Sequence, residues 1–270
     1  MAVNRGYLKE NYRYFHLCDK SDMDFESHFH DFHKIIFCLS GEVAYTMEGK
    51  TYFLKKKDVL LVPQGKIHKS SISSKDKYER VIFWINDDYL KKFEDSRKNL
   101  SELFSAKICN LNLDKESFAL IMRLLASIES QDTGGLFGGK IMKDAYFAEL
   151  MVTLCRLCFD QKIASSSFVS DPKFDEVLFY INNNLEKELT VDSISKNFYM
   201  SRSYFMSRFK EVVGCSVHGY ITEKRLFKAL ELIKSGVSTG IAASESGFSD
   251  YTVFYRNFKR AFGISPAQIK

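Results

Sequence analysis

Three histidines are the first residues whose spacing suggests chemistry: His28 and His30 flank Phe29, and His68 follows in the run Pro63-Gln64-Gly65-Lys66-Ile67-His68. On an extended strand residues 28 and 30 point to the same side, so both imidazoles can meet His68 in an interior built from strands. Three ring nitrogens there suit a metal, a hydrogen-bonded pocket wall, or a plain structural role. A second kind of chemistry is signalled by residues 201–210 and 251–260, which are basic and contain no Asp or Glu. Acid-free cationic segments of this sort suit polyphosphate. Cys155-Arg156-Leu157-Cys158 has the spacing of half a redox or zinc site. No second pair follows and the surrounding helix is apolar, which fits buried structural thiols. The glycine pairs Gly134-Gly135 and Gly138-Gly139 have no strand before them and no Lys-Ser/Thr after, so they read as a flexible connection, not a phosphate cradle.

The elements that must position these groups change character along the chain. Short strand-like runs at Tyr12–Leu17, Lys34–Leu39, Val43–Met47, Thr51–Leu54, Val59–Val62 and Val81–Ile85 are punctuated by Gly41, Gly49 and Gly65, with a hairpin signal at Glu48-Gly49-Lys50. Regular spacing of this kind predicts a small antiparallel barrel or sandwich. After about Asp87 the period becomes helical, with Phe118, Ile121, Met122, Leu125 and Ile128 on one stripe and Ile141, Ala145, Ala148, Val152, Cys155 and Phe159 on another. The second helix is apolar almost all round, which calls for partners on more than one side, in its own domain or in a second subunit. Ser165-Ser166-Ser167 reads as a linker, with Asp171 as N-cap and Pro172 at the first helical position after it. A length of 270 residues with one such break predicts two domains, 1–170 and 171–270. The six cysteines are irregularly spaced, the N-terminus is polar, and no long uncharged apolar run occurs. Those features predict a cytoplasmic protein with reduced thiols and no membrane span. A net charge of +5 permits nucleic acid as a partner without requiring it.

The tail is a duplication. Superposing it on itself matches Phe205 with Phe254, Phe209-Lys210 with Phe258-Lys259, Gly214 with Gly263 and Ser216 with Ser265. In each copy a short helix (Val191–Phe198; about Gly240–Glu245) precedes a turn and a longer helix capped by Ser201 or Asp250. Phe205, Phe209 and Val212, and in the second copy Phe254, Phe258 and Phe262, recur at helical spacing and are expected to face the core. The opposite faces are then candidates to read base edges in a major groove: Arg202, Ser203, Met206 and Ser207, and Tyr251, Thr252, Tyr255 and Arg256. Candidates for phosphate are Ser201, Lys210, Arg225, Asn257, Lys259 and Arg260. A helix from about Tyr220 to Lys234, burying Leu226, Ala229, Leu230 and Ile233, would space the two units.

The run from Gly247-Phe248-Ser249-Asp250 through Phe254, Phe258, Gly263-Ile264-Ser265-Pro266 resembles the signature of the AraC/XylS family of bacterial transcription regulators. So does Ser201…Phe205…Arg208-Phe209-Lys210…Gly214 with Arg225…Ala229. The sequence departs from that pattern at Ser195, where the family usually has Ala, and at Ala242, where it usually has Ile. The resemblance covers about residues 172–270 and implies a non-enzymatic activator. It also implies two helix-turn-helix units entering successive major grooves at promoter half-sites, and a contact with RNA polymerase.

His28-Phe29-His30 and the Pro63–His68 run resemble the two halves of the cupin barrel pattern over about residues 25–85. Metal-binding cupins place a glutamate where this chain has Lys34, and a cation there repels a divalent ion. The expected fold is therefore α+β and multi-domain: a cupin-like β-barrel with a helical dimerisation segment at residues 140–160, then an all-α domain of two helix-turn-helix units joined by a linker helix. The resemblance implies a homodimer whose barrel takes a small effector, a sugar or sugar derivative, without metal or other cofactor. His28, His30, Lys34, His68, Arg80 and Trp84 are the candidate contacts. The alternatives are a metal-dependent cupin enzyme fused to the DNA-binding unit, with metal at His28, His30 and His68, and a constitutive DNA binder whose barrel serves only for assembly.

Overall fold

The computed structural model describes residues 7–19, 23–72, 77–95, 98–105, 109–131, 135, 137–159 and 168–269; the serine linker at 165–167 and Gly134 lie outside the described residues. In chain order the first half runs β1 (Tyr12–Asp19), β2 (Met23–Asp24), β3 (His33–Ser40), β4 (Val43–Met47), β5 (Lys50–Leu54), β6 (Asp58–Val62), β7 (His68–Ile72), β8 (Tyr78–Ile85), α1 (Asp87–Leu90), β9 (Glu94–Asp95), β10 (Lys98–Asn99), β11 (Asn110–Asn112), α2 (Lys115–Ser130), α3 (Gly139–Phe159) and β12 (Phe168–Val169). The second half is helical: α4 (Pro172–Asn182), α5 (Val191–Asn197), α6 (Arg202–Val213), α7 (Val217–Lys234), α8 (Thr239–Glu245) and α9 (Tyr251–Phe262).

Ten of the strands form two antiparallel five-stranded sheets, in the orders β1-β8-β3-β6-β11 and β12-β5-β4-β7-β2, and β9 pairs with β10 by itself. Among the described residues neither sheet closes on itself, and the two sheets pack face to face with β1, β11, β12 and β2 at their edges. β3 shows why both its faces are buried. Ile35 and Phe37 pack with α2 and α3, while Ile36 and Cys38 pack with Tyr45, Met47 and Leu54 of the opposite sheet. The first half thus has three layers: helices, sheet, sheet. The β4–β5 hairpin turns at Glu48 and Gly49, both with positive φ (49° and 77°), the conformation a two-residue type I′ turn demands.

Four sequence expectations change. His28 and His30 do not lie in a strand; His28 makes one isolated bridge to His68. β7, which carries His68, lacks the alternating apolar pattern and was not anticipated, because Lys69, Ser70 and Ser71 are only partly buried. In α3 the buried stripe is Phe147, Leu150, Met151, Leu154, Cys155 and Cys158, while Ile141 and Phe159 of the expected stripe are exposed. Tyr12 decides that rotation by stacking on Phe147 at 4.1 Å and donating its hydroxyl to Asp144 at 3.0 Å. In α6, Val213 takes the core position expected for Val212.

In the second half Phe205, Phe209, Phe254 and Phe258 are fully buried around Tyr220, Leu226 and Leu230 of α7. At one end Asp171 caps α4 through the Lys173 N–H, with Pro172 in the first turn. Just before it, β12 pairs with β5, holding the chain to the sandwich as far as Val169.

Candidate functional site

The two long helices α6 and α9, each of 12 residues, end in left-handed Gly214 and Gly263. Their N-caps are made by Ser201, which accepts from the Tyr204 N–H, and by Asp250, which accepts from those of Thr252 and Val253. Capping fixes the helix start and turns one face to the phenylalanine core. The other face leaves Arg202, Ser203, Met206 and Ser207 of α6, and Tyr251, Thr252, Tyr255 and Arg256 of α9, exposed. Arg202 is held at 2.8 Å by Asp192 of α5, and Tyr251 lies 3.2 Å from the Thr239 hydroxyl of α8, so each long helix is tied to its short partner. Ser195 is buried with its hydroxyl donated to the Asp192 carbonyl, which satisfies the polar group where the family has Ala.

Lys210 and Lys259 are exposed near the C-termini of α6 and α9. Arg260 donates to the Asn257 amide oxygen at 2.7 Å, and both line a cleft of about 190 Å³ facing His28 and Phe29 of the sandwich. Arg225 points its guanidinium at the loop after α4, Nε donating to the Leu185 carbonyl at 2.8 Å and Nη2 to that of Lys187 at 2.7 Å.

Between the sheets lies a cavity of about 440 Å³ whose floor is one face of β1, β8 and β3. Strand alternation places Lys34 and Ile36, Arg80, Ile82 and Trp84, and Phe15 on that face. Of the six candidates, His28, Lys34, Arg80 and Trp84 line the cavity. His30 and His68 sit behind its wall. His30 stacks flat on Phe32 at 4.0 Å, and His68 meets the Lys34 amine through Nε2 at 3.2 Å. The sequence reading missed Tyr45, Asp19 and Phe15; a period-two count along β1 and β4 was the signal that held them.

The histidine tautomers follow from their partners, since a carbonyl only accepts. His28, His30 and His68 donate Nδ1–H to the carbonyls of Glu26, Phe32 and Lys66, leaving each Nε2 as an acceptor. Among the described residues, no group of three or more His, Cys, Asp or Glu is arranged to hold a metal ion. Burial first, then the positive Lys34, hold His30 and His68 well below the ordinary imidazole range. Burial, with Arg80 beside it, brings Lys34 down to about 7.

These shifts predict a pH dependence. Below about 6.5 the unfolded chain protonates these imidazoles and the folded one does not, so stability is present above that pH and is lost as pH falls. Each histidine costs about 1.4 kcal/mol per unit below that point. Asp31, raised to about 6 chiefly by burial, opposes the trend between roughly 6 and 4. Urea unfolding should therefore show lower stability at pH 5.5 than at 7.5. A His30→Asn, His68→Gln chain should lose most of the slope, and an undiminished slope would assign it to other groups.

The sandwich and the helical half share a polar seam. Glu48 accepts from the Ile67 N–H at 3.0 Å, the Tyr220 hydroxyl at 2.9 Å and Lys224 Nζ at 3.3 Å. Lys224 also donates to the Gly65 carbonyl at 3.2 Å, and Lys234 pairs with Asp31 at 3.5 Å. Phe29 meets Phe262 edge to face at 5.6 Å. Ile67, whose N–H Glu48 accepts, directly precedes His68, the partner of the Lys34 amine, so the seam and the cavity meet at adjacent residues.

Residues 14–143 match a family model described as an AraC-like ligand binding domain, and residues 194–270 match one described as a helix-turn-helix domain. Over 235 residues the chain is 26% identical to the lactose operon transcription activator of Staphylococcus xylosus, covering 85% of this chain and 80% of that one. It is 21% identical over 248 residues to the HTH-type transcriptional activator RhaS of Escherichia coli, covering 92% and 88%. Among solved structures, ToxT from Vibrio cholerae aligns over 96% of this chain and 97% of its own, with a TM-score of 0.41 at 12% identity.

Proposed function

The chain belongs to the AraC/XylS family of transcription regulators, and from that premise we propose that it is a sugar-responsive activator reading two successive major grooves. Its domains and relatives are those of a transcription regulator and not of an enzyme. The observation that carries the reading is the pair of capped 12-residue helices whose outward faces are exposed. Arg202, Ser203, Met206, Ser207, Tyr251, Thr252, Tyr255 and Arg256 read bases; Ser201, Lys210 and Lys259 hold phosphates. Asn257 and Arg260 join the phosphate set once the cleft they face opens.

The intersheet cavity takes a small carbohydrate-like metabolite, with Trp84 as a stacking wall and Lys34, Arg80 and His28 as polar contacts. The names of the two activators, one of which concerns lactose, support a sugar as the class. Residues 1–170 form the sensing unit and 171–270 the DNA-binding unit, in a cytoplasmic homodimer. The exposed Ile141 and Met142 of α3 support dimerisation through that helix; a monomer in sedimentation at micromolar concentration would remove this part. RNA polymerase is the partner at the promoter.

Sequencing of DNA bound by the purified chain tests the reading. Arg256→Ala and Ser207→Ala should each weaken the recovered site by about 5- to 150-fold, the value of about 1–3 kcal/mol for a base-edge contact, while leaving random DNA little changed. Equal loss on both would assign these side chains to phosphate. A chain whose DNA affinity ignores every sugar would be a constitutive binder.

A further inference from the structure

We propose that the effector carries an anionic group, a carboxylate or a phosphate ester, seated against Lys34 inside the sandwich. This inference rests on the reading of the intersheet cavity as the effector site and adds the charge of its ligand. The cavity wall holds three cations, Arg13, Lys34 and Arg80, and one carboxylate, Asp19. Asp19 is taken by Arg80, whose Nη2 lies 2.6 Å from Oδ2. Arg13 is taken by Glu10 outside the cavity, again at 2.6 Å.

Lys34 is left without a counter-charge among the described residues, and with its pKa brought down to about 7 the amine is only partly charged until an anion joins it. Its side chain is 6% exposed, and among the described residues its hydrogen-bond partner is the neutral His68, at 3.2 Å. An ammonium has three N–H donors, so donors remain toward the cavity. Keeping a charge buried without a counter-charge is costly, and the cost is relieved by whatever brings an anion to it. A neutral hydroxyl accepts one hydrogen bond but cancels no charge; a carboxylate or phosphate does both.

The rest of the wall fixes the body of the ligand. Trp84 stacks on Phe32 and meets Phe15 at a tilt of 54°, each at 4.7 Å, and gives the wall an apolar surface, while Tyr45 and Ser70 add hydroxyl-bearing side chains to the lining. A ring or polyol with one acidic end fits this division, which makes a sugar acid or a sugar phosphate the ligand class.

Trp84 is the one tryptophan of the chain, so its emission reports on this cavity alone. The full chain is titrated with gluconate, a hexose phosphate and glucose over the same concentrations. One acid should change the emission and raise Tm where glucose does not, and which acid does so separates carboxylate from phosphate. Lys34→Met should weaken that acid by about tenfold or more, the value of a charge-assisted hydrogen bond. It should also raise Tm without ligand by removing the unpaired charge; Lys34→Gln serves as the second variant should Met perturb the packing. Equal response to glucose and gluconate, undiminished acid binding by both variants, or silence of both acids would overturn the proposal. A neutral sugar that binds and alters DNA affinity would remove the anionic group yet leave the effector reading standing, whereas silence of all three probes would count against both.

Discussion

Glu48→Ala should uncouple the sandwich from the helical half at a cost of about 3–5 kcal/mol, the range for removing one partner of a buried ion pair. The carboxylate sits at the tip of the β4–β5 hairpin and gathers three donors, the Ile67 N–H, the Tyr220 hydroxyl and Lys224 Nζ. Burial raises its pKa, but Lys224, Lys66 and the two neutral donors outweigh that, and the net direction is down. Glu48 is therefore charged at neutral pH, and its removal takes the ion-pair partner from the largely buried Lys224 ammonium, leaving it the Gly65 carbonyl and the Tyr220 ring at 5.9 Å. Each half retains its own core, so the loss should appear as weaker docking: a single calorimetric transition in the parent chain and two in the variant. Ligand added to the variant should still stabilise the sandwich but no longer alter DNA affinity, because a ligand shifts an equilibrium only through contacts that differ between its states. A double-mutant cycle with Lys224→Ala should return a coupling energy above about 1 kcal/mol. A cycle near zero, or a variant whose DNA response is intact, would show that the seam does not carry the signal.

Gly247→Ala should destabilise the second helix-turn-helix unit by at least about 2 kcal/mol, adding about 1–3 for the left-handed conformation to about 1–3 for the loss of a part-buried hydrogen bond. Gly247 has φ +97°, and a Cβ built there would lie 2.1 Å from the Leu185 carbonyl oxygen and 2.7 Å from Arg225 Nε. Those two atoms are hydrogen-bonded to each other at 2.8 Å, so neither moves without breaking the tie between α7 and the loop after α4. Gly263 is the internal control. Its φ of +74° is similar, but nothing lies within 4 Å of a Cβ, and Gly263→Ala should cost only about 1 kcal/mol of conformational strain. Urea unfolding of the two variants checks the contrast. Equal costs would mean that the Leu185 carbonyl gives way and that Gly247 matters for its φ alone.

Both glycines stood out in the sequence, in the same resembling run, and nothing in that run distinguishes them. What separates them is a loop some sixty residues upstream (residue 185 against 247) that closes on one and not the other. The same limit governed Arg225. Its place in the motif suggested phosphate, and only the fold brings the Leu185 and Lys187 carbonyls to its guanidinium. In the first half, Arg80 and Trp84 were named from residue type, as polar and stacking groups, and the structure places both on the cavity face of β8. Asp19 and Tyr45 were not named, because they complete the cavity from β1 and β4, and which strands face one another is not a local property. β7 was missed for a related reason: only its ends, His68 and Ile72, are buried, and so few apolar positions make no period.

By itself the sequence determined what short-range physics controls: the strand-to-helix change of period, the caps Asp171, Ser201 and Asp250, the phenylalanine stripes of α6 and α9, and therefore which faces of those helices stay exposed. Each is settled by neighbours within one turn or one hairpin, where propensity, capping and amphipathicity act. The tertiary structure alone decided how the two sheets face each other, the rotation of α3, the placing of Lys34 in its cavity and the Glu48–Lys224 seam. Those depend on which distant groups share a desolvated space. A buried charge acquires its meaning only from the partners that packing brings to it or withholds.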